Sequence, residues 1–201
     1  MITTIFLVRH GETQWVKDDR FTGISDIDLT DHGRTQAEML GHYIQPTPVN
    51  AVYTSPLRRC QATAGILNTW QVPQIADGRI REINYGVWEG MQRDAIVQQY
   101  GVEYQAWGDD PATLAPPEGE TGQEVLQRGI HFWQDLLHRH EGQHVLVVAH
   151  KTVNRILLCW LLGIPIQLYR WRIGQHACAL NVIRIQEHGP LIERLNFTLD
   201  S

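Results

Sequence analysis

The hydrophobic pattern of this chain changes period several times. Ile2 to Val8 is a run of apolar and β-branched residues, which predicts a strand buried on both faces. Ala51 to Thr54 is a shorter run of the same kind, Gln74 to Ile80 a weaker one, and His144 to Ala149 the clearest. Ala177 to Ile185 and Leu191 to Leu195 predict two last strands, joined near Glu187-His188-Gly189-Pro190. Between the strands the period becomes helical. Thr30 is placed to cap a helix whose face carries Ala37, Leu40 and Ile44, and Pro46 and Pro48 end it. A second helix is expected from Leu57 to about Trp70, with Pro56 suited to its first turn. Thr121-Gly122-Gln123-Glu124 is a capping box. The helix it opens is expected to reach about His140, with Leu126, Ile130, Trp133 and Leu137 as its core stripe. Thr152 to Leu162 predicts one more helix. Gln14 to Asp28 has no sustained period and is expected to be a loop. Residues 84–117 mix helical pieces with Asp110-Pro111 and Pro116-Pro117, and are expected to leave the sheet and cover a site.

Strands that alternate with helices predict an α/β fold. Its centre is a doubly wound, mostly parallel sheet with helices on both faces. Ligands of such sheets bind outside the carboxyl ends of the strands. Three strand-to-helix junctions place Arg9-His10, Arg58-Arg59 and His150-Lys151 at that edge. Cations in a first helical turn oppose the helix dipole, which is easier to understand if they serve a ligand. Arg58 is read as the one that reaches solvent. Basic groups converging on one crevice suit a doubly charged anion, because the arginine fork matches phosphate geometry. The chain has no GxGxxG or Walker A sequence, so neither a dinucleotide nor an ATP cradle is indicated.

Composition narrows the partners. At 201 residues the chain is expected to form a single domain over 1–201. Hydrophobic content of 43% and charged content of 19% fit a globular protein. The net charge is −5 and no basic stripe stands out, so nucleic acid is not expected as a partner. An anionic substrate would need local positive charge working against that field. Cys60, Cys159 and Cys178 show no CxxC spacing and suggest buried, reduced thiols in a cytoplasmic protein. The N-terminus shows no secretory leader, and the apolar stretch Ile156 to Ile166 is too short to span a bilayer, so no membrane partner is expected. His138, His140 and His144 lack regular ligand spacing, and no metal or other cofactor is expected. A homodimer is left open.

Leu7-Val8-Arg9-His10-Gly11-Glu12-Thr13 resembles the signature of the histidine phosphatase superfamily, the phosphoglycerate mutase-like fold. Five further blocks follow in the family's order. Arg20, Gly23 and Asp28-Leu29-Thr30 through Gln36-Ala37 resemble the next one. Ser55-Pro56-Leu57-Arg58-Arg59-Cys60 resembles its Ser-x-Leu-x-Arg helix start, which singles out Arg59. Glu82, ahead of Gly86 and Trp88-Glu89-Gly90, resembles its acidic block, with Gly119-Glu120-Thr121 after it. Val145 to His150 resembles its second-histidine strand.

The resemblance implies a metal-independent phosphatase of small phosphorylated metabolites. His10 would attack phosphorus and form a phosphohistidine. Arg9, Arg59 and His150 would hold the phosphoryl oxygens, and Glu82 would serve as general acid and then base. A neutral His10 needs a fixed partner for its other ring nitrogen. Thr13, Arg20, Thr22, Gly23 and Lys151 are the expected substrate-binding residues. The chain departs from the family's usual Trp-Asn at Trp15-Val16 and from its usual His-Gly at His150-Lys151. Lys151 would offset the missing Asn at position 16 or bind a second anionic group. Two alternatives stand beside this reading. One is a cofactor-dependent phosphoglycerate mutase, although mutases are longer and this chain ends at Asp200-Ser201. The other is a non-catalytic phospho-ligand sensor on the same fold.

Overall fold

In the computed structural model, which describes residues 1–199, six strands form one sheet. They are β1 (Thr3–Arg9), β2 (Ala51–Thr54), β3 (Gln74–Ala76), β4 (His144–Ala149), β5 (Leu180–Gln186) and β6 (Gly189–Phe197). Their order is β3-β2-β4-β1-β5-β6. β3, β2, β4 and β1 run parallel, whereas β5 and β6 add two antiparallel pairings at one side. The expected mostly parallel α/β sheet is therefore present, with an antiparallel edge. The expected chain end at Asp200-Ser201 lies outside the described residues.

Seven α-helices accompany the sheet among the described residues: α1 (Gln14–Lys17), α2 (Asp31–Ile44), α3 (Arg58–Leu67), α4 (Arg93–Asp109), α5 (Gly122–Arg139), α6 (Lys151–Leu161) and α7 (Tyr169–Arg172). Side chains alternate across a strand, so β1 feeds two cores. Ile5 and Leu7 meet Phe132 and Trp133 of α5 and Ile156 of α6. Phe6 and Val8 meet Leu40 and Ile44 of α2 and Ala64 of α3. Burial on both faces is why β1 and β4 are almost continuously apolar. A third cluster, Trp88, Ile96 and Trp107, sits within residues 84–117. No helix among the described residues is long and apolar enough to cross a membrane. The three cysteines are buried thiols.

Local chemistry explains where the elements differ from expectation. The stretch expected as a loop opens with one helical turn, α1, because the Thr13 side chain accepts from Val16 N at 3.3 Å. Leu57 is the N-cap of α3, so Pro56 stands outside its first turn. α3 stops at Leu67, short of Trp70, where Asn68 Oδ1 accepts from Val72 N at 3.1 Å and turns the chain. β3 covers only Gln74–Ala76, because the Asp77 side chain caps a 3₁₀ turn over Gly78–Ile80. The buried stripe of α5 runs through Val125, Phe132, Trp133 and Leu136, while Leu126, Ile130 and Leu137 flank it half-buried. β5 begins at Leu180 rather than Ala177, because Cys178 takes φ 54° and breaks the extended run.

Candidate active site

The carboxyl end of β1 is fixed from two sides. His10 N donates to Ala149 O at 3.0 Å, and Cys178 N donates to His10 O at 3.0 Å. The turn that follows passes backbone to backbone against the first turn of α2. A Cβ on Gly11 would lie 2.4 Å from Gly33 O, and one on Gly33 would lie 2.2 Å from Glu12 O. Only glycines permit that approach.

His10 is buried, with Nδ1 2.7 Å from Gly11 O. A carbonyl can only accept, so this bond assigns the proton to Nδ1 and leaves the Nε2 lone pair for chemistry. Burial first, then the charges of Arg59 and Arg9, hold His10 well below the ordinary imidazole range. It is therefore a neutral base at physiological pH. Beside it, Arg9 Nη1 donates to Gln175 O at 2.8 Å. Its Nε is buried with no partner among the described residues. Burial, above all, pulls its guanidinium down to about 10.

Arg59 and His150 are fully buried next to His10, and the two imidazoles lie 5.2 Å apart, edge to face. Arg59 donates from Nη1 to Ser25 O (2.7 Å), from Nη2 to Gly23 O (2.6 Å) and from Nε to His150 Nδ1 (3.2 Å). His150 Nδ1 is then an acceptor, so Nε2 donates to Ser55 Oγ at 2.8 Å. Burial and the Arg59 charge hold His150 well below its ordinary range as well.

Glu82 is buried, and its carboxylate sits on the first turn of α6. Oε1 accepts from Ile83 N (3.0 Å) and Val153 N (3.2 Å), and Oε2 accepts from Thr152 N (3.0 Å). Helix N-termini favour such a guest. Neighbouring arginines take other partners: Arg79 pairs with Asp77 and Asp135, and Arg81 with Glu120. Arg128 reaches the carbonyls of Arg79, Arg81 and Glu82 at 2.6–3.2 Å while pairing with Glu120, and so clamps the backbone that presents Glu82.

Arg9, His10 and Glu82 open on a cleft of about 300 Å³, whereas Arg59 and His150 are fully buried behind them and are not among its lining residues. Of the expected site residues, Arg9, His10, Glu82, Lys151, Arg20 and Thr22 line it. Arg20 Nη1 donates to Gly90 O (2.8 Å), and Thr22 Oγ1 to Arg20 O (3.0 Å). Thr13 is buried as the cap of α1, and Gly23 supplies the carbonyl that holds Arg59. Residues 84–117 contribute Tyr85, Arg93 and Trp107 to the walls. Val16 also lines the cleft. Sequence reasoning missed Arg155, Tyr169 and Arg170. The one signal for Arg155 was a cation four residues after Lys151 in an otherwise apolar helix. Six cationic residues line the cleft (Arg9, Arg20, Arg93, Lys151, Arg155 and Arg170) against two acids, Asp19 and Glu82. The local positive charge that an anionic substrate requires is thus present in a chain of net charge −5.

Comparison with known proteins places this geometry. Residues 5–198 match the model of the histidine phosphatase superfamily (branch 1). Phosphoserine phosphatase 1 of Hydrogenobacter thermophilus is 31% identical over 195 residues, covering 96% of this chain and 92% of the relative. A 2,3-bisphosphoglycerate-dependent phosphoglycerate mutase of Cytophaga hutchinsonii is 31% identical, covering 78% and 76% of the two chains. The α-ribazole phosphatase structure from Shigella flexneri superposes with a TM-score of 0.88 at 28% identity, covering 96% of each chain. With a matching family model across nearly its whole length and phosphatases among its relatives, the chain belongs to the histidine phosphatase superfamily and is a phosphoric monoester hydrolase.

Proposed function

We propose that the chain hydrolyses small phosphomonoesters through a phosphohistidine on His10. The observation that carries this reading is the Nδ1–Gly11 O bond, which leaves a neutral, fixed Nε2 in a cationic cleft. In the first step Nε2 forms a bond to phosphorus as the bond from phosphorus to the ester oxygen breaks. Glu82 gives the departing oxygen its proton. In the second step the Glu82 carboxylate takes a proton from water as that water attacks phosphorus and the N–P bond breaks. The three backbone N–H groups that face its oxygens hold the Glu82 carboxyl group in one position for both steps.

The transferred group carries charge on its oxygens throughout, so catalysis is mainly positioning and electrostatics. The Nε of Arg9 has no partner among the described residues and would donate to one oxygen. Arg59 keeps one N–H on each of Nη1 and Nη2 beyond its carbonyl bonds. Its charge holds His10 unprotonated and offsets the phosphoryl charge. His150 and Ser55 keep Arg59 in place through Nδ1 and Nε2.

Purified protein is expected to release phosphate from p-nitrophenyl phosphate, and His10→Ala to lose that activity by a factor of 10³ or more, of the order seen when a nucleophile is removed. Full activity in His10→Ala would end the covalent reading. Mutase chemistry shares the first step. It would show phosphoryl transfer to a second hydroxyl compound in place of free phosphate.

A further inference from the structure

One side of the cleft holds more positive charge than a phosphoryl group on His10 uses. Lys151 and Arg155 stand four residues apart on α6, hence on one face of it. Both line the cleft. Like charges at that spacing repel, and Arg155 is among the causes that pull Lys151 down to about 8, after burial and Arg9. The Arg155 side chain has no hydrogen bond or ion pair among the described residues, and its Nε is buried. The hydroxyl of Tyr169, also on the cleft wall, is buried and equally unpartnered. The nearby acids, Glu82 and Asp19, act on this charge through space but form no ion pair with Lys151 or Arg155 among the described residues. Glu82 is committed to three backbone N–H groups, and Asp19 lies on the exposed rim. Two other cations of the cleft already have partners. Arg170 lies over the Trp107 ring at 4.0 Å, and Arg20 is bonded to Gly90 O.

We propose that Lys151, Arg155 and the Tyr169 hydroxyl form a second anion subsite, so that the substrate is a phosphomonoester carrying another anionic group, a carboxylate or a second phosphate. This rests on the phosphatase reading for the placement of the first phosphate. A planar guanidinium, an ammonium and a hydroxyl together supply the donors that either group accepts. The cleft volume of about 300 Å³ suits a small metabolite of that kind.

The test is binding, measured by calorimetry on the His10→Ala protein so that it does not depend on turnover. O-phosphoserine and O-phosphoethanolamine differ by one carboxylate; fructose 1,6-bisphosphate and fructose 6-phosphate differ by one phosphate. The subsite predicts at least tenfold tighter binding of the doubly anionic member of one pair, and the pair names the anion. Adding Arg155→Met should reduce that preference to within twofold. Arg155→Lys should restore part of it, and Lys151→Gly, which removes the ammonium at the first position of α6, tests the same preference at a second residue. Equal binding within both pairs, or a preference that survives both Arg155→Met and Lys151→Gly, would overturn the subsite. Phosphate release by the unmutated protein, assayed in parallel on all four compounds, reports on the phosphatase reading separately.

Discussion

At the scale of single residues, the site works by assigning each proton. Gly11 O holds the Nδ1 proton of His10, Arg59 Nε makes His150 Nδ1 an acceptor, and three backbone donors face Glu82. The roles of His10 and Glu82 predict different sensitivities to the leaving group. Glu82→Gln removes the proton donor but keeps the shape. Its kcat on an alkyl phosphate should fall by about 10²–10⁴, the usual worth of general acid catalysis. On p-nitrophenyl phosphate, whose leaving group hardly needs a proton, the loss should be at least tenfold smaller. Parallel assays on the two substrates check this, and equal losses would assign Glu82 a purely structural role.

At the scale of elements, the site depends on two close junctions. One is the passage of the β1–α1 turn against the start of α2 through Gly11 and Gly33. Gly33→Ala would push a methyl into Glu12 O, a backbone atom that cannot swing away. Overpacking of this kind costs about 1–3 kcal/mol. Urea denaturation should show that loss, and kcat should fall with it because the same turn carries His10. Unchanged stability would mean that the two segments separate easily. The other junction is the seat of Glu82 on α6, kept by the Arg128 and Glu120 clamp. Arg128→Met leaves Glu120 with only the more exposed Arg81 and the Asn84 N–H, and frees the carbonyls of Arg79, Arg81 and Glu82. Breaking a largely buried pair from one side costs about 3–5 kcal/mol, and a melting curve of the variant should reveal it. A variant as stable as the parent would show that Glu120 finds compensation from Arg81.

At the scale of the molecule, two buried neutral histidines tie stability to pH. His10 and His150 have native values well below about 6.5, the ordinary unfolded value. Their contribution is complete above about 6.5 and is lost as pH falls, since the unfolded chain then binds protons that the folded one refuses. Each costs about 1.4 kcal/mol per pH unit below that point. Denaturation at pH 7.5 and 5.5 should therefore show a loss of up to about 3 kcal/mol that the His10→Asn/His150→Asn double variant lacks. Equal losses in both proteins would contradict it. Much of this architecture was legible in the chain because strands buried on both faces are apolar throughout, and because β1 and β4 end in Arg9-His10 and His150-Lys151 at the same sheet edge. Element ends were less legible, since side-chain bonds such as those of Thr13 and Asn68 decide them. The cleft's far wall was hidden. Arg155 and Tyr169 reach it only through the packing of α6 and α7, which no local pattern encodes, and the β5 and β6 edge brings Gln175 O to Arg9 by a contact 166 residues apart in sequence. The central claim is the phosphohistidine, and rapid-quench labelling with ³²P substrate tests it most directly. The account predicts an acid-labile, alkali-stable label that maps to His10 and appears and decays fast enough to carry turnover. Turnover with no protein-bound label, or a label on another residue, would contradict it.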